Sequence, residues 1–111
     1  MGIQDWSENV MLVTLAPEPD LCDELKTVTD MIRQRKKCSV VIDFSDVDIV
    51  TSSSLAQLLR VQKLLDDNDQ QFIVCGMSKR TKSIFEVTGL DKVFEFVEDK
   101  FTALAGLQLA S

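Results

Sequence analysis

The sequence predicts an α/β sandwich: a mixed sheet of four or five strands with about four helices packed against it. Three observations lead there. Short runs with strand character alternate along the chain with stretches of ~10–15 residues whose apolar positions recur at helical spacing. Two of those runs, Ser39 to Phe44 and Phe72 to Cys75, are apolar or β-branched almost without interruption, as expected of strands covered on both faces in a parallel sheet. Finally, 111 residues with 45% hydrophobic content suit one compact domain over residues 1–111.

The chain opens with two strand candidates, Ile3 to Ser7 and Val10 to Ala16, and Glu8-Asn9 between them reads as the reversal of a hairpin. Pro17 and Pro19 stop the second strand. Asp20 is placed to cap the helix that follows, which is marked by Leu21, Leu25, Val28 and Ile32. The basic stretch Arg33 to Lys37 puts cations at its C-terminal end, where the helix dipole favours them. The central strand Ser39 to Phe44 comes next, then the turn Ser45-Asp46-Val47-Asp48 and the apolar step Ile49-Val50. Thr51-Ser52-Ser53-Ser54 leads into a second helix carrying Leu55, Leu58, Leu59, Gln62 and Leu65, and Ser54 with Gln57 matches a capping box. Asp66-Asp67-Asn68-Asp69 ends that helix, and Gly76 closes the strand Phe72 to Cys75. A third helix is expected from about Lys79 to Thr88, with Gly89 suited to the left-handed position beyond a helix end. A short strand, Val93 to Phe96, and a helix from about Asp99 carrying Phe101, Leu104 and Leu109 complete the order.

Composition narrows the function. With 12 Lys+Arg against 18 Asp+Glu the formal charge is −6, which opposes binding to nucleic acid or to anionic membrane surfaces. There is no His and no Tyr, so the usual general base at neutral pH and the Ser-His-Asp and Cys-His constellations are missing. A serine nucleophile would have to recruit Lys63, Lys79 or Lys82 without any local motif, and the chain is not expected to be an enzyme. Cys22, Cys38 and Cys75 lie too far apart for a Cys-x-x-Cys pair, fit a reducing compartment, and read as small buried hydrophobes. No run of ~20 apolar residues and no leader pattern occurs, so a cytoplasmic location without membrane insertion is expected. Asp43, Asp46 and Asp48 surround a strand end and turn, where Asp is common for conformational reasons, and no metal or cofactor is expected. Lys79, Arg80 and Lys82 read as a solvated helix face, or as a salt-sensitive contact for an acidic partner. Trp6, Phe94, Phe96 and Phe101 read as core or as cover for a sheet edge.

The feature that exceeds structural need is Thr51 to Ser54. One hydroxyl suffices to cap a helix, whereas here four stand in a row at a strand-to-helix turn, the place where sites gather in such folds. A helix N-terminus also stabilises a phosphate through unpaired N–H groups and the positive end of the dipole, so a phosphorylation site is physically sensible. A nucleotide cradle is the weaker alternative, because neither Gly-rich phosphate-binding pattern occurs.

The segment Val40-Val41-Ile42-Asp43-Phe44-Ser45-Asp46-Val47-Asp48-Ile49-Val50-Thr51-Ser52-Ser53-Ser54-Leu55 resembles the STAS domains of bacterial anti-sigma factor antagonists, which read apolar strand, Asp-Leu-Ser, a short apolar turn, then Asp-Ser-Ser-Gly-Leu. Val87-Thr88-Gly89-Leu90-Asp91 is similar to that family's Thr-Gly-Leu-Asp segment, and Leu15-Ala16-Pro17-Glu18-Pro19-Asp20 to its Leu-x-Gly-Glu-apolar-Asp entrance to the first helix. The resemblance implies a partner-switching module. Unmodified, it binds an anti-sigma factor that is itself a serine kinase; phosphorylation ends the complex, and a metal-dependent phosphatase restores it. Carried over residue by residue, the phosphoacceptor falls on Ser53, the motif Asp on Thr51 and the motif Gly on Ser54. The acidic residue entering the first helix falls on Asp20, and the Asp closing the central strand on Asp43. The implied contact surface is Thr51, Ser52 and Ser54, the helix face around Gln57 and Arg60, and the entrance loop near Asp20. Family members with altered motifs imply the alternative of an unphosphorylated scaffold, as a subunit of a lipid transporter or of a stress-sensing assembly.

Overall fold

The computed structural model describes the backbone of residues 2–35 and 37–110 and the side chains of residues 2–35 and 37–107. Its elements are β1 (Gly2–Ser7), β2 (Val10–Thr14), α1 (Leu21–Gln34), β3 (Ser39–Asp43), α2 (Ser52–Asp67), β4 (Phe72–Cys75), α3 (Lys79–Val87), a 3₁₀ turn (Leu90–Lys92), β5 (Glu95–Val97) and α4 (Lys100–Ala110). The five strands lie side by side in chain order, β1-β2-β3-β4-β5. β1 runs antiparallel to β2, and every later pair is parallel, which gives the expected mixed sheet with an opening hairpin.

Side-chain alternation explains the unbroken apolar runs. Val40, Ile42 and Val74 face one side of the sheet, where they meet Leu21, Leu25, Val28 and Ile32 of α1, Leu58, Val61 and Leu65 of α2 and Phe85 of α3. Val10, Leu12, Val41, Ile73 and Cys75 face the other side and are covered by Ala103, Leu104 and Leu107 of α4. A strand buried on both faces has no polar face to alternate with.

Several local expectations need correction. Asp20 precedes α1 in a helical backbone conformation (φ −76°, ψ −17°) and makes no side-chain cap bond. A capping side chain needs extended backbone in order to fold back over the first turn; here the Asp20 carbonyl accepts from the Glu24 N–H at 3.0 Å instead. Ser54 and Gln57 form no capping box. The cap is Thr51, extended at ψ 164°, whose Oγ1 accepts from the Ser54 N–H, so α2 begins before Ser54. The last strand is Glu95–Val97, because Leu90–Lys92 takes a 3₁₀ turn and leaves Val93 outside the ladder. Phe101 is 68% exposed: α4 presents Ala103, Leu104 and Leu107 to the sheet and turns Phe101 away. The Leu109 side chain and Lys36 lie outside the described residues. Phe94 and Phe96 do cluster, with Phe72 and Phe85 as partners. Cys38 and Cys75 are buried and Cys22 is partly exposed, all as free thiols. Burial, with the charges of Asp43 and Asp99 adding to it, pushes the Cys75 thiol up to about 12 and removes its reactivity near neutrality.

Candidate functional site

All four parallel strands end at one edge of the sheet, and the loops that leave them are fastened to one another there. The Leu15 N–H donates to the Asp43 carbonyl (3.1 Å), the Phe44 N–H to the Cys75 carbonyl (2.8 Å) and the Gly76 N–H to the Glu98 carbonyl (3.1 Å). The loop from Phe44 to Thr51 is pinned by buried Val47 and Val50, and the Thr81 hydroxyl of α3 donates to its Asp48 carbonyl at 3.1 Å. Phe44 is buried as well, whereas Ile49 is 60% exposed just before the start of α2.

The four hydroxyl residues divide into two pairs. Thr51 and Ser54 bond each other: the Thr51 hydroxyl donates to Ser54 Oγ at 3.1 Å, while its oxygen accepts from the Ser54 N–H at 3.2 Å. Both then meet Glu18, whose Oε2 accepts from the Thr51 N–H (2.8 Å) and from the Ser54 hydroxyl (2.7 Å). Ser54 is consequently buried completely. Ser52 and Ser53 are exposed in the first turn of α2, and their hydroxyls make no hydrogen bond among the described residues.

Glu18 is the site residue that sequence reasoning overlooked. Thr51, at the motif position where the resemblance has Asp, lacks a carboxylate, and Glu18 brings one to the same helix end from the entrance loop, where the dipole favours an anion. Its partial burial alone would raise its pKa. Hydrogen bonds from the Ser54 hydroxyl and from Thr51 outweigh that and hold it below the ordinary value. The stabilisation is therefore present above the unfolded pKa near 4.5 and is lost as pH falls through the lower folded value. Urea denaturation at a series of pH values checks this: below pH ~4.5 the parent chain should lose stability more steeply than Glu18→Gln. Parallel slopes in the two proteins would remove Glu18 from this role.

Of the remaining predicted residues, Asp20 and Arg60 are exposed, on the entrance loop and on α2. Gln57 is a second correction alongside Ser54. It is buried between α1 and α2, where its Nε2 donates to Thr29 Oγ1 (3.0 Å) and its Oε1 accepts from Arg60 Nη1 (3.2 Å). Ser54 and Gln57 are therefore buried behind exposed Thr51, Ser52 and Arg60. Asp43, Asp46 and Asp48 do not converge. Asp43 is buried with its Oδ1 accepting from the Ser45 N–H (2.9 Å), Asp48 stands 3.9 Å from Arg80, and Asp46 is exposed. Among the described residues no helix is long and apolar enough to cross a membrane.

Comparison with known proteins places this geometry. Residues 22–103 match the family model of the STAS domain. An anti-sigma F factor antagonist of Paenibacillus polymyxa is 25% identical over 105 residues, spanning 92% of this chain and 90% of that protein. The structure of an anti-sigma-factor antagonist (STAS) domain protein from Planctomyces limnophilus superposes with a TM-score of 0.74 at 21% identity, over 99% of this chain and 97% of the other. The Bacillus cell fate determinant SpoIIAA in its phosphorylated form superposes with a TM-score of 0.73 at 11% identity, over 96% and 97%. These likenesses show the fold of anti-sigma factor antagonists.

Proposed function

The chain belongs to the STAS domain family, and from that premise we propose that it is an anti-sigma factor antagonist-like module working in the cytoplasm by partner switching. Unmodified, it binds an anti-sigma factor kinase through exposed Thr51, Ser52, Ile49 and Arg60, with Asp20 at the flank. Phosphorylation of Ser53 releases that partner, and a metal-dependent phosphatase resets it.

The observation that carries this reading is the division of the hydroxyl run. Thr51 and Ser54 are held by each other and by Glu18, while Ser53 stands exposed with an unengaged hydroxyl in the first helical turn. A phosphate there adds roughly −1.5 to −2 charges beside the helix N-terminus, which tolerates them, and on a contact surface, which does not. The similar SpoIIAA structure is itself of a phosphorylated form.

Incubation with an anti-sigma factor kinase and Mg-ATP, followed by intact-mass spectrometry, tests it. The parent chain and Ser52→Ala are expected to gain one phosphate and Ser53→Ala none. A parent mass that never rises, or equal modification of Ser53→Ala, would overturn the acceptor assignment. A second reading, the constitutive scaffold, is favoured by the closed Thr51–Ser54–Glu18 network at positions where the family carries Asp and Gly. In a pull-down with the partner, Ser53→Asp loses binding under the switch and keeps it under the scaffold.

A further inference from the structure

We propose that the groove between α1 and α2 is a docking site for an acidic segment of a partner protein. The groove has a volume of about 320 Å³ and is lined by Lys26, Thr29, Asp30, Arg33, Gln57 and Arg60. Three cations face one carboxylate there, a local +2 in a chain of net charge −6. Arg33 approaches Asp30 only at 4.0 Å, with both side chains largely in water, a contact of little strength. Among the described residues, neither Lys26 nor Arg60 has a carboxylate within ion-pair distance.

The floor of the groove separates it from an ordinary solvated helix face. Gln57 and Thr29 are both buried in the α1–α2 seam, where two apolar side chains would fill the space without desolvating an amide and a hydroxyl. Their bonds run in one direction: the Thr29 hydroxyl donates to the Leu25 carbonyl (2.8 Å), Gln57 Nε2 donates to Thr29, and Gln57 Oε1 is left to receive Arg60. The chain of bonds holds the guanidinium at the mouth of the groove, so less rotamer freedom is lost when a carboxylate arrives. Arg is also the side chain whose planar fork suits carboxylates best.

The other basic cluster carries less net charge. Lys79, Arg80 and Lys82 stand against two carboxylates, Glu98 in the same hollow as Lys79 and Lys82 and Asp48 at 3.9 Å from Arg80, a local +1, and Lys82 also lies over the Phe96 ring at 6.0 Å. The Arg80–Asp48 contact is as solvated as that of Arg33 with Asp30, so the difference lies in the number of carboxylates. Charge complementarity therefore selects the α1–α2 groove for a carboxylate-bearing partner.

A ¹⁵N-labelled sample titrated with a synthetic Glu-rich peptide, and with its Gln counterpart, tests the proposal without kinase or nucleotide. The Glu peptide is expected to shift amides of residues 26–33 and 57–60, to weaken as salt rises, and to lose affinity about tenfold in Arg60→Glu with Lys82→Glu unchanged. Shifts centred on residues 79–82, equal loss in both variants, equal binding of the Gln peptide, or no binding at all would overturn it. The mapping on the parent chain needs no variant to fold. The groove shares Arg60 with the docking surface proposed above but does not need Ser53 to carry phosphate, so either reading can fail while the other stands.

Discussion

A Gly76→Ala variant is expected to melt roughly 10–15 °C below the parent chain, from a loss of about 2–4 kcal/mol. Two costs add at this position. Gly76 sits at φ +69°, in the left-handed region that costs an L side chain roughly 1–2 kcal/mol. A Cβ there would also stand 2.5 Å from Asp43 Oδ1 and 3.3 Å from the Ser45 nitrogen. Asp43 cannot swing aside freely, because it is buried and that same Oδ1 holds the Ser45 N–H. Thermal melts of Gly76→Ala, Asp43→Ala and the double variant separate the costs. With the carboxylate gone the shortest contact is removed, leaving the backbone strain and the 3.3 Å approach to the Ser45 nitrogen, so the double variant should lose less than the sum of the singles. Strict additivity would mean that Asp43 yields to the new methyl.

The other large effect is expected at Phe85, whose truncation to Ala should cost about 3–5 kcal/mol. Its ring is fully buried and meets Phe94 and Phe96 edge-to-face at centroid distances of 5.7 and 5.8 Å. α3 buries only Thr81 and Phe85, so this one ring is the main attachment of the helix to the sheet. Amide hydrogen exchange distinguishes a detached helix from general weakening: residues 79–92 should exchange faster, out of proportion to α1 and α2. Phe85→Leu, which keeps most of the volume, should lose much less. A loss below about 1 kcal/mol for Phe85→Ala would show that the Thr81–Asp48 bond and the turn at Gly89 hold α3 unaided.

The strands were legible because burial on both faces leaves its mark residue by residue, as in Val40, Val41 and Ile42. The helix start at Thr51 was not. Four hydroxyl residues in a row offer four equivalent caps, and the choice is made by Glu18, thirty-three positions away. Glu18 itself was readable only as loop, standing between two prolines, although it belongs to the entrance motif from which Asp20 was selected. Gln57 carried a signal that went unused: Ser54, Leu58, Val61 and Leu65 recur at helical spacing, and Gln57 lies on that buried stripe, whereas Leu55, Leu59 and Gln62 border it. Phe101 misled by residue type, since nothing local shows which stripe of α4 meets the sheet. The proposed acceptor Ser53 and the proposed contact surface come from resemblance to a family motif, and the structure adds which of those side chains reach solvent.

One helix, α4, covers the part of one sheet face formed by β2, β3 and β4, and it follows every strand in the order of synthesis. A nascent chain that has already paired β2, β3 and β4 therefore still presents Val10, Leu12, Val41 and Ile73 to its surroundings. Domains fold while emerging at ~5–20 residues per second, so this face stays bare until the last turns of α4 are made. The interval is one in which chaperone capture competes with self-association, and premature termination before Lys100 would make that exposure permanent.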